Sequence, residues 1–148
     1  MRKAKLIRQL KDSYGKPPDV EYFEEDLRGI RAYADYRKEK GLDPFYVDDT
    51  TWNDLSMEAV FKRVNAAQST AGEQALYYWL RCPAMDQAAW DDRQALVGLM
   101  ERDGALRLSL QTLLQRLGKW RAANTREAFR PSAYHSALLP IALLLVLA

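Results

Sequence analysis

The sequence has few of the residues on which catalytic and metal sites usually depend. It contains one cysteine and one histidine among 148 residues, so an internal disulfide and a Cys/His zinc site are excluded. The phosphate-binding pattern G-x-x-x-x-G-K-[ST], a nucleophile elbow and a Gly-rich dinucleotide fingerprint are also absent. The basic residues after Met1 are not followed by the apolar core of a secretory signal. The single cysteine favours a reducing compartment.

The overall composition is that of a folded protein. It is 48% hydrophobic and 28% charged, and the length suits one domain with a real core. The formal net charge of +2 is too balanced to indicate a nucleic-acid-binding domain by charge alone.

The carboxyl end has a different composition. Residues 138–148 read LLPIALLLVLA and carry no charge, whereas a spanning helix needs about 20 apolar residues. We therefore expect the natural protein to continue, with 131–148 as the start of a truncated transmembrane segment after a helical domain at 1–130. The preceding cations predict that this domain lies on the cytoplasmic side of the membrane; they are Arg116, Lys119, Arg121, Arg126 and Arg130. The alternative is a solvated basic helix before a buried core helix.

Hydrophobic periodicity predicts an all-α helical bundle of about six helices. The first runs from Arg2 to about Ser13. The second follows an Asp19 cap, the third follows Ser56, and the fourth begins at a capping box of Thr70 and Glu73. The fifth follows an Asp86 cap, and a break at Asp103-Gly104 precedes the sixth. The predicted core positions are Val20, Phe23, Leu27, Ile30, Ala34, Met57, Val60, Phe61, Val64, Leu76, Trp79, Leu80, Trp90, Leu96, Val97, Met100, Leu106, Leu110, Leu113, Leu114 and Leu117.

The best candidates for chemistry are better explained by structure. Asp48 and Asp49 are adjacent, with no evident third ligand, so turn formation and helix capping are favoured over metal binding or acid–base catalysis. His135 has no partner constellation. Cys82 is expected to be a small buried residue, and Gly72 to allow close packing in a first helical turn. The aromatic residues could stack on bases, but their helical spacing indicates packing.

Three segments, taken in order, resemble the opening of the helical core domain of MutS-family proteins. They read YVDDTTWNDL at 46–55, FKRVN at 61–65 and STAGEQALYYWLRCP at 69–83, and Arg93 follows in the next helix. They are more similar to a membrane-associated MutS-like group with "DDxTWNDL" and "StGExxLYxxLRxP" patterns. The resemblance covers roughly residues 10 to 120. The motif residues are Asp48, Asp49, Thr51, Trp52, Asn53, Leu55, Asn65, Thr70, Gly72, Glu73, Leu80, Arg81 and Pro83.

The resemblance implies a non-catalytic core or lever segment. The whole protein would bind ATP and Mg in a carboxy-terminal domain outside this fragment, and this segment would hold no cofactor or metal. DNA through the parent protein, a membrane through the apolar run and a homodimer of the parent protein are the implied partners. The family name implies DNA mismatch repair, whereas the core-like segment begins almost at Met1, where the family has a separate mismatch-reading domain.

Two other functions are open from the sequence. One is a membrane-anchored helical adaptor without an ATPase, which would bind proteins in a groove beside the predicted helix at 106–117. The other is an independent nucleic-acid binder that uses the basic stretch at 116–130.

Overall fold

The computed structural model of the protein describes residues 2–83 and 85–119, which form seven helices and no strand. The predicted all-α class is therefore confirmed for this part of the chain. The helices are α1 (Arg2–Ser13), α2 (Glu24–Glu39), α3 (Asp49–Asp54), α4 (Met57–Val64), α5 (Thr70–Arg81), α6 (Gln87–Arg102) and α7 (Gly104–Leu117). The helix beyond the predicted six is α3, a short helix where the sequence predicted only a polar turn.

The main core surrounds α5, which packs on α2 and α4. Tyr77 is its centre. The Tyr77 ring lies 4.9 Å from that of Trp52 and 5.6 Å from that of Phe61, measured between centroids. Such tilted and edge-to-face pairs are the favoured aromatic geometry. The buried residues of this core are Leu27, Ile30, Ala34, Trp52, Phe61, Ala67, Leu76 and Tyr77.

A second, smaller core holds α6 against α7. Met100 and Leu114 are buried there, and Leu106 and Leu110 pack against them. Contacts with α5 come from α6 and from the residues that follow α7. The Thr70 amide donates to the Gly118 carbonyl at 3.2 Å, and the Arg93 guanidinium lies 4.4 Å from the centroid of the Trp79 ring.

The start of α2 differs from the prediction. The helix begins at Glu24 rather than after Asp19, and the Phe23 amide donates to the Asp26 carboxylate at 3.1 Å. Two successive prolines, at 17 and 18, favour extended backbone in this stretch. The first two predicted core positions are consequently wrong, since Val20 is 47% and Phe23 59% exposed. Leu27, Ile30 and Ala34 are buried as predicted.

The start of α5 is at the predicted residue, Thr70, but its cap is different. Ser69 is the N-cap, with extended backbone, and its Oγ accepts from the Gly72 amide at 3.2 Å. The predicted capping box of Thr70 and Glu73 is therefore wrong. Glu73 is buried and binds side chains in the interior instead of reaching back to the helix start. The predicted Asp86 cap is confirmed, because its carboxylate accepts from the Ala89 amide at 2.8 Å.

Several predicted core positions are exposed in the described part of the chain. They are 40% exposed or more, although Phe61, Met100 and Leu114 on the same helices are buried as predicted. Hydrophobic periodicity predicts which positions are apolar, but it does not predict how much of each side chain a neighbouring helix buries. The exposed positions are Val60, Val64, Trp90, Leu113 and Leu117.

In residues 2–83 and 85–119, none of the helices has the length and apolar character needed to cross a bilayer. The predicted transmembrane start at 131–148 and the basic positions 121, 126 and 130 lie outside the described residues.

Candidate functional site

The third motif segment contains α5, and the other two motif segments contact the two ends of this helix. Residues 46–52 contact the carboxyl end of the helix through Arg81, and Asn65 contacts its amino end through Glu73. Together these contacts hold the chain before α3, α3 itself and the end of α4 against one helix. We call the first set of contacts the Arg81 cluster and the second the Asn65 cluster.

The Arg81 cluster encloses a guanidinium that is only 5% exposed. Arg81 Nη1 donates to the Val47 carbonyl at 2.8 Å, and Nε and Nη2 donate to the Tyr77 hydroxyl at 3.2 and 3.0 Å. The guanidinium carbon lies 4.1 Å from the ring centroid of Trp52 and 5.3 Å from that of Tyr46. The Val47 amide in turn donates to the Arg81 carbonyl at 2.8 Å. The planar, permanently charged guanidinium thus donates hydrogen bonds to two oxygen atoms and also makes cation–π contacts with the aromatic rings.

The short helix α3 supplies the carboxylates. Asp48 is its N-cap and accepts from the Thr51 amide at 2.8 Å and from the Thr51 hydroxyl at 3.0 Å. These hydrogen bonds lower the pKa of Asp48. Asp49 pairs with Arg81 at 2.9 Å, while its own side chain remains 72% exposed. The two adjacent carboxylates therefore have separate structural roles and do not converge on one site.

The remaining motif residues of this segment face outward. Thr51, Asn53 and Leu55 are exposed, and Leu55 retains 61% of its accessible surface. Their contacts are local: Thr51 binds Asp48, the Leu55 amide donates to the Thr51 carbonyl at 3.1 Å, and the Asn53 carbonyl accepts from the Ser56 amide at 2.9 Å. Within α3, the contact with α5 is made by Asp49 and Trp52 and not by the whole motif.

The Asn65 cluster is a buried polar network. Asn65 is 1% and Glu73 5% exposed. Asn65 Nδ2 donates to the Glu73 carboxylate at 3.1 Å and to the Tyr22 hydroxyl at 2.7 Å, and Lys119 Nζ pairs with Glu73 at 2.7 Å. Burial and the negative charge of Glu73 raise the pKa of Tyr22. The network links the chain before α2, the end of α4, α5 and the residues after α7.

The other motif residues complete the helix ends. The Gly72 amide is bound by Ser69, and Thr70 carries the backbone link to Gly118. Leu80 packs partly buried against the main core, and Pro83 is exposed just after the end of α5.

A further cluster was not predicted from the sequence. Arg37 binds the Asp43 carboxylate through two nitrogens, at 2.9 and 2.7 Å, and Tyr78 donates to the same carboxylate at 2.6 Å. The guanidinium carbon of Arg37 lies 5.0 Å from the Tyr78 ring centroid. The only local signal is the spacing of Arg37 and Asp43 around Gly41, where a left-handed glycine reverses the chain.

In the described residues, two features that often carry chemistry, a metal-binding group and a reactive cysteine, can be assessed from the geometry. No group of three or more His, Cys, Asp or Glu side chains in residues 2–83 and 85–119 could hold a metal ion. Cys82 is buried, and burial raises the pKa of its thiol to about 11, which opposes nucleophilic reactivity. His135 lies outside the described residues. The clusters around α5 can hold segments together, and they expose no reactive group.

No protein-family model, curated protein or solved structure matches this chain.

Proposed function

We propose that this chain is the amino-terminal helical core or lever segment of a MutS-like ATPase and is not catalytic itself. The proposal is supported by one observation: of the three segments that carry the MutS resemblance, the first two contact the two ends of α5, which lies in the third. A segment that transmits movement must hold its own elements rigidly together. The Arg81 and Asn65 clusters supply that rigidity through buried, directional contacts.

In this proposal, ATP and Mg bind in a separate carboxy-terminal domain of the parent protein. Changes there would be transmitted through α5 to the part that binds DNA or a protein partner, in a parent protein that can form a homodimer. The domain would lie on the cytoplasmic side of a membrane and be attached to it through the apolar run at 138–148.

The first experiment is to sequence the parent gene past the codon for Ala148. A reading frame that continues through apolar helices to a G-x-x-x-x-G-K-[ST] loop is the expected result. A frame that stops in the apolar segment, or continues without a phosphate loop, would contradict the ATPase proposal.

The lever role is tested by hydrogen exchange of α5 amides in the full protein, with and without ATP. We expect nucleotide-dependent exchange in α5 that the Asn65→Ala variant changes, because this substitution removes the buried bonds to Glu73 and Tyr22. Asn53→Ala is the matched control, since Asn53 is exposed. Exchange in α5 that is identical in both nucleotide states would contradict the lever role.

The exposed apolar residues of α7 favour a second candidate, a membrane-anchored helical adaptor without an ATPase. Leu113 and Leu117 are one turn apart and each 53% exposed, as expected for a helix that binds a protein partner. A reading frame without a phosphate loop would favour this adaptor, and one with the loop would favour the ATPase. The nucleic-acid alternative depends on positions mostly outside the described residues.

A further inference from the structure

The groove between α1 and α7 has a basic end. The two helices are antiparallel, so the first turns of α1 lie beside the last turns of α7. Lys3, Lys5 and Gln9 line one groove of about 440 Å³ together with Gln115 and Arg116. The three cations of this groove are exposed. We call Lys3, Lys5 and Arg116 the basic end.

The charge of the basic end is not neutralised by its own helices. α7 contains no carboxylate, and the only one in α1, Asp12, lies in the last turn, away from Lys3 and Lys5. In residues 2–83 and 85–119, none of the salt bridges or hydrogen bonds involves a side chain of the basic end. These cations therefore remain available for an external anionic surface.

The basic end precedes the apolar run in the sequence. Arg116 opens the cationic stretch at 116–130, and the charge-free run at 138–148 follows it after seven residues. The antiparallel packing adds Lys3 and Lys5, from the other end of the sequence, to the start of that stretch. Basic residues gathered beside an apolar segment are the arrangement that anionic bilayer surfaces attract.

We propose that the basic end binds the headgroups of anionic phospholipids and so holds the α1–α7 pair against the bilayer. The inference rests on the membrane attachment in the proposed function and is independent of its ATPase part. Each cation near an anionic bilayer contributes about fivefold to binding. The three cations together correspond to about 100-fold.

Lipid is favoured over nucleic acid for two reasons. Single-strand binding needs aromatic platforms, and no aromatic side chain lines the groove at the basic end in the described residues. Duplex binding needs a longer row of phosphate contacts than three cations at one end of a helix pair. The apolar run that follows the cationic stretch in sequence also suits a bilayer better than a nucleic acid.

The test measures flotation of the full 148-residue chain with vesicles of phosphatidylcholine alone or mixed with phosphatidylserine. The ratio of the two partition coefficients isolates the electrostatic contribution from binding by the apolar run. The variant Lys3→Gln/Lys5→Gln/Arg116→Gln is expected to reduce that ratio about 100-fold. The control, Arg28→Gln/Lys40→Gln/Arg63→Gln, makes the same change in net charge at exposed positions elsewhere and is expected to retain most of the ratio.

An equal loss of the ratio in both triple variants would overturn the proposal, because net charge alone would explain it. Tighter binding to a duplex oligonucleotide than to the mixed vesicles, lost in the first variant only, would also overturn the lipid assignment. Failure to bind phosphatidylcholine vesicles contradicts the membrane attachment by the apolar run. Binding to mixed vesicles that only the first variant loses would still support headgroup binding by the basic end.

Discussion

The guanidinium carbon of Arg81 lies 4.1 Å from the ring centroid of Trp52, although the two residues are on different helices. Arg81 ends α5, and Trp52 is the one buried residue of α3. A six-residue helix has too little length to be stable alone in water. The contact of this ring with Arg81 and Tyr77 therefore determines the position of α3, and with it the position of the neighbouring aspartates.

Truncation of Trp52 should destabilise the protein strongly. Trp52 is only 3% exposed, and its ring centroid lies 4.9 Å from that of Tyr77. Trp52→Ala is expected to lower the free energy of unfolding by about 3 to 5 kcal/mol. Urea denaturation followed by circular dichroism measures this. Trp90→Ala is the control, because Trp90 is 51% exposed and its truncation should lower the free energy of unfolding only slightly. Equal unfolding midpoints for the two variants would contradict the burial argument.

The two members of the Arg81–Asp49 pair should contribute very differently. Arg81→Ala leaves the Val47 carbonyl and the Tyr77 hydroxyl without a charged donor, so a loss of about 3 kcal/mol is expected. Asp49→Ala should cost less than about 1 kcal/mol, because the Asp49 side chain is 72% exposed and the pair is screened by solvent. The stability loss caused by Arg81→Lys should lie between these two values, because an ammonium keeps the charge but cannot reproduce the planar contacts.

Urea midpoints of these variants test the cluster directly. Equal effects of Arg81→Ala and Asp49→Ala would mean that the ion pair, and not the carbonyl and ring contacts, stabilises this region.

The sequence predicted the helices better than the contacts between them. The break at Asp103-Gly104 and the Asp86 cap were predictable because each depends on neighbouring residues. The start of α2 was not predictable, because the two prolines before it favour extended backbone. The helix therefore begins later than predicted, at Glu24, and Phe23 stays exposed. Whether an apolar position such as Leu113 is covered depends on which helix packs there, and periodicity contains no information about that.

The same limit applies to the candidate site. The motif resemblance identified Arg81 and Asn65 as notable, but it also included Leu55, which is 61% exposed. The Tyr22–Asn65 bond joins residues 43 positions apart, and the Tyr78–Asp43 bond joins residues 35 apart. No local pattern encodes such pairs. They depend on the packing of α2 and α4 against α5.

Acid should weaken the Arg37–Asp43 cluster. The hydrogen bonds from Arg37 lower the pKa of Asp43 below its ordinary value of 3.8. A lowered pKa in the folded state contributes stability above the unfolded value and loses it as pH falls through the folded value. The destabilisation caused by Asp43→Asn should therefore be largest above about pH 4 and shrink below it. Urea midpoints from pH 7 downward measure this. A difference between the two proteins that is independent of pH would contradict it.

Alkali should unfold the protein partly through Tyr46. Burial raises the pKa of Tyr46 from 10.0 to about 12, although Arg81 opposes this shift. A raised pKa contributes stability that is present below pH 10 and is lost as pH rises toward 12. Burial also raises the pKa of Tyr22 and Tyr78, so ultraviolet titration of tyrosinate should show several late-ionising groups, of which Tyr46→Phe removes one. Tyr14→Phe, which removes one hydroxyl at an exposed position elsewhere, is the matched control. The same titration curve for the natural protein and Tyr46→Phe would contradict the assignment.

Cys82 should be almost inert to thiol reagents while the protein is folded. Its side chain is buried at the end of α5, and burial raises the thiol pKa from 9.0 to about 11. Two pKa units reduce the thiolate fraction at pH 8 about 100-fold, and poor access slows the reaction further. The rate with Ellman's reagent should thus be at least about 100-fold lower in buffer than in denaturing urea. Trp52→Ala should raise the rate in buffer, because more frequent opening of this region exposes the thiol. A folded-state rate close to that in urea would show that the end of α5 is open to solvent.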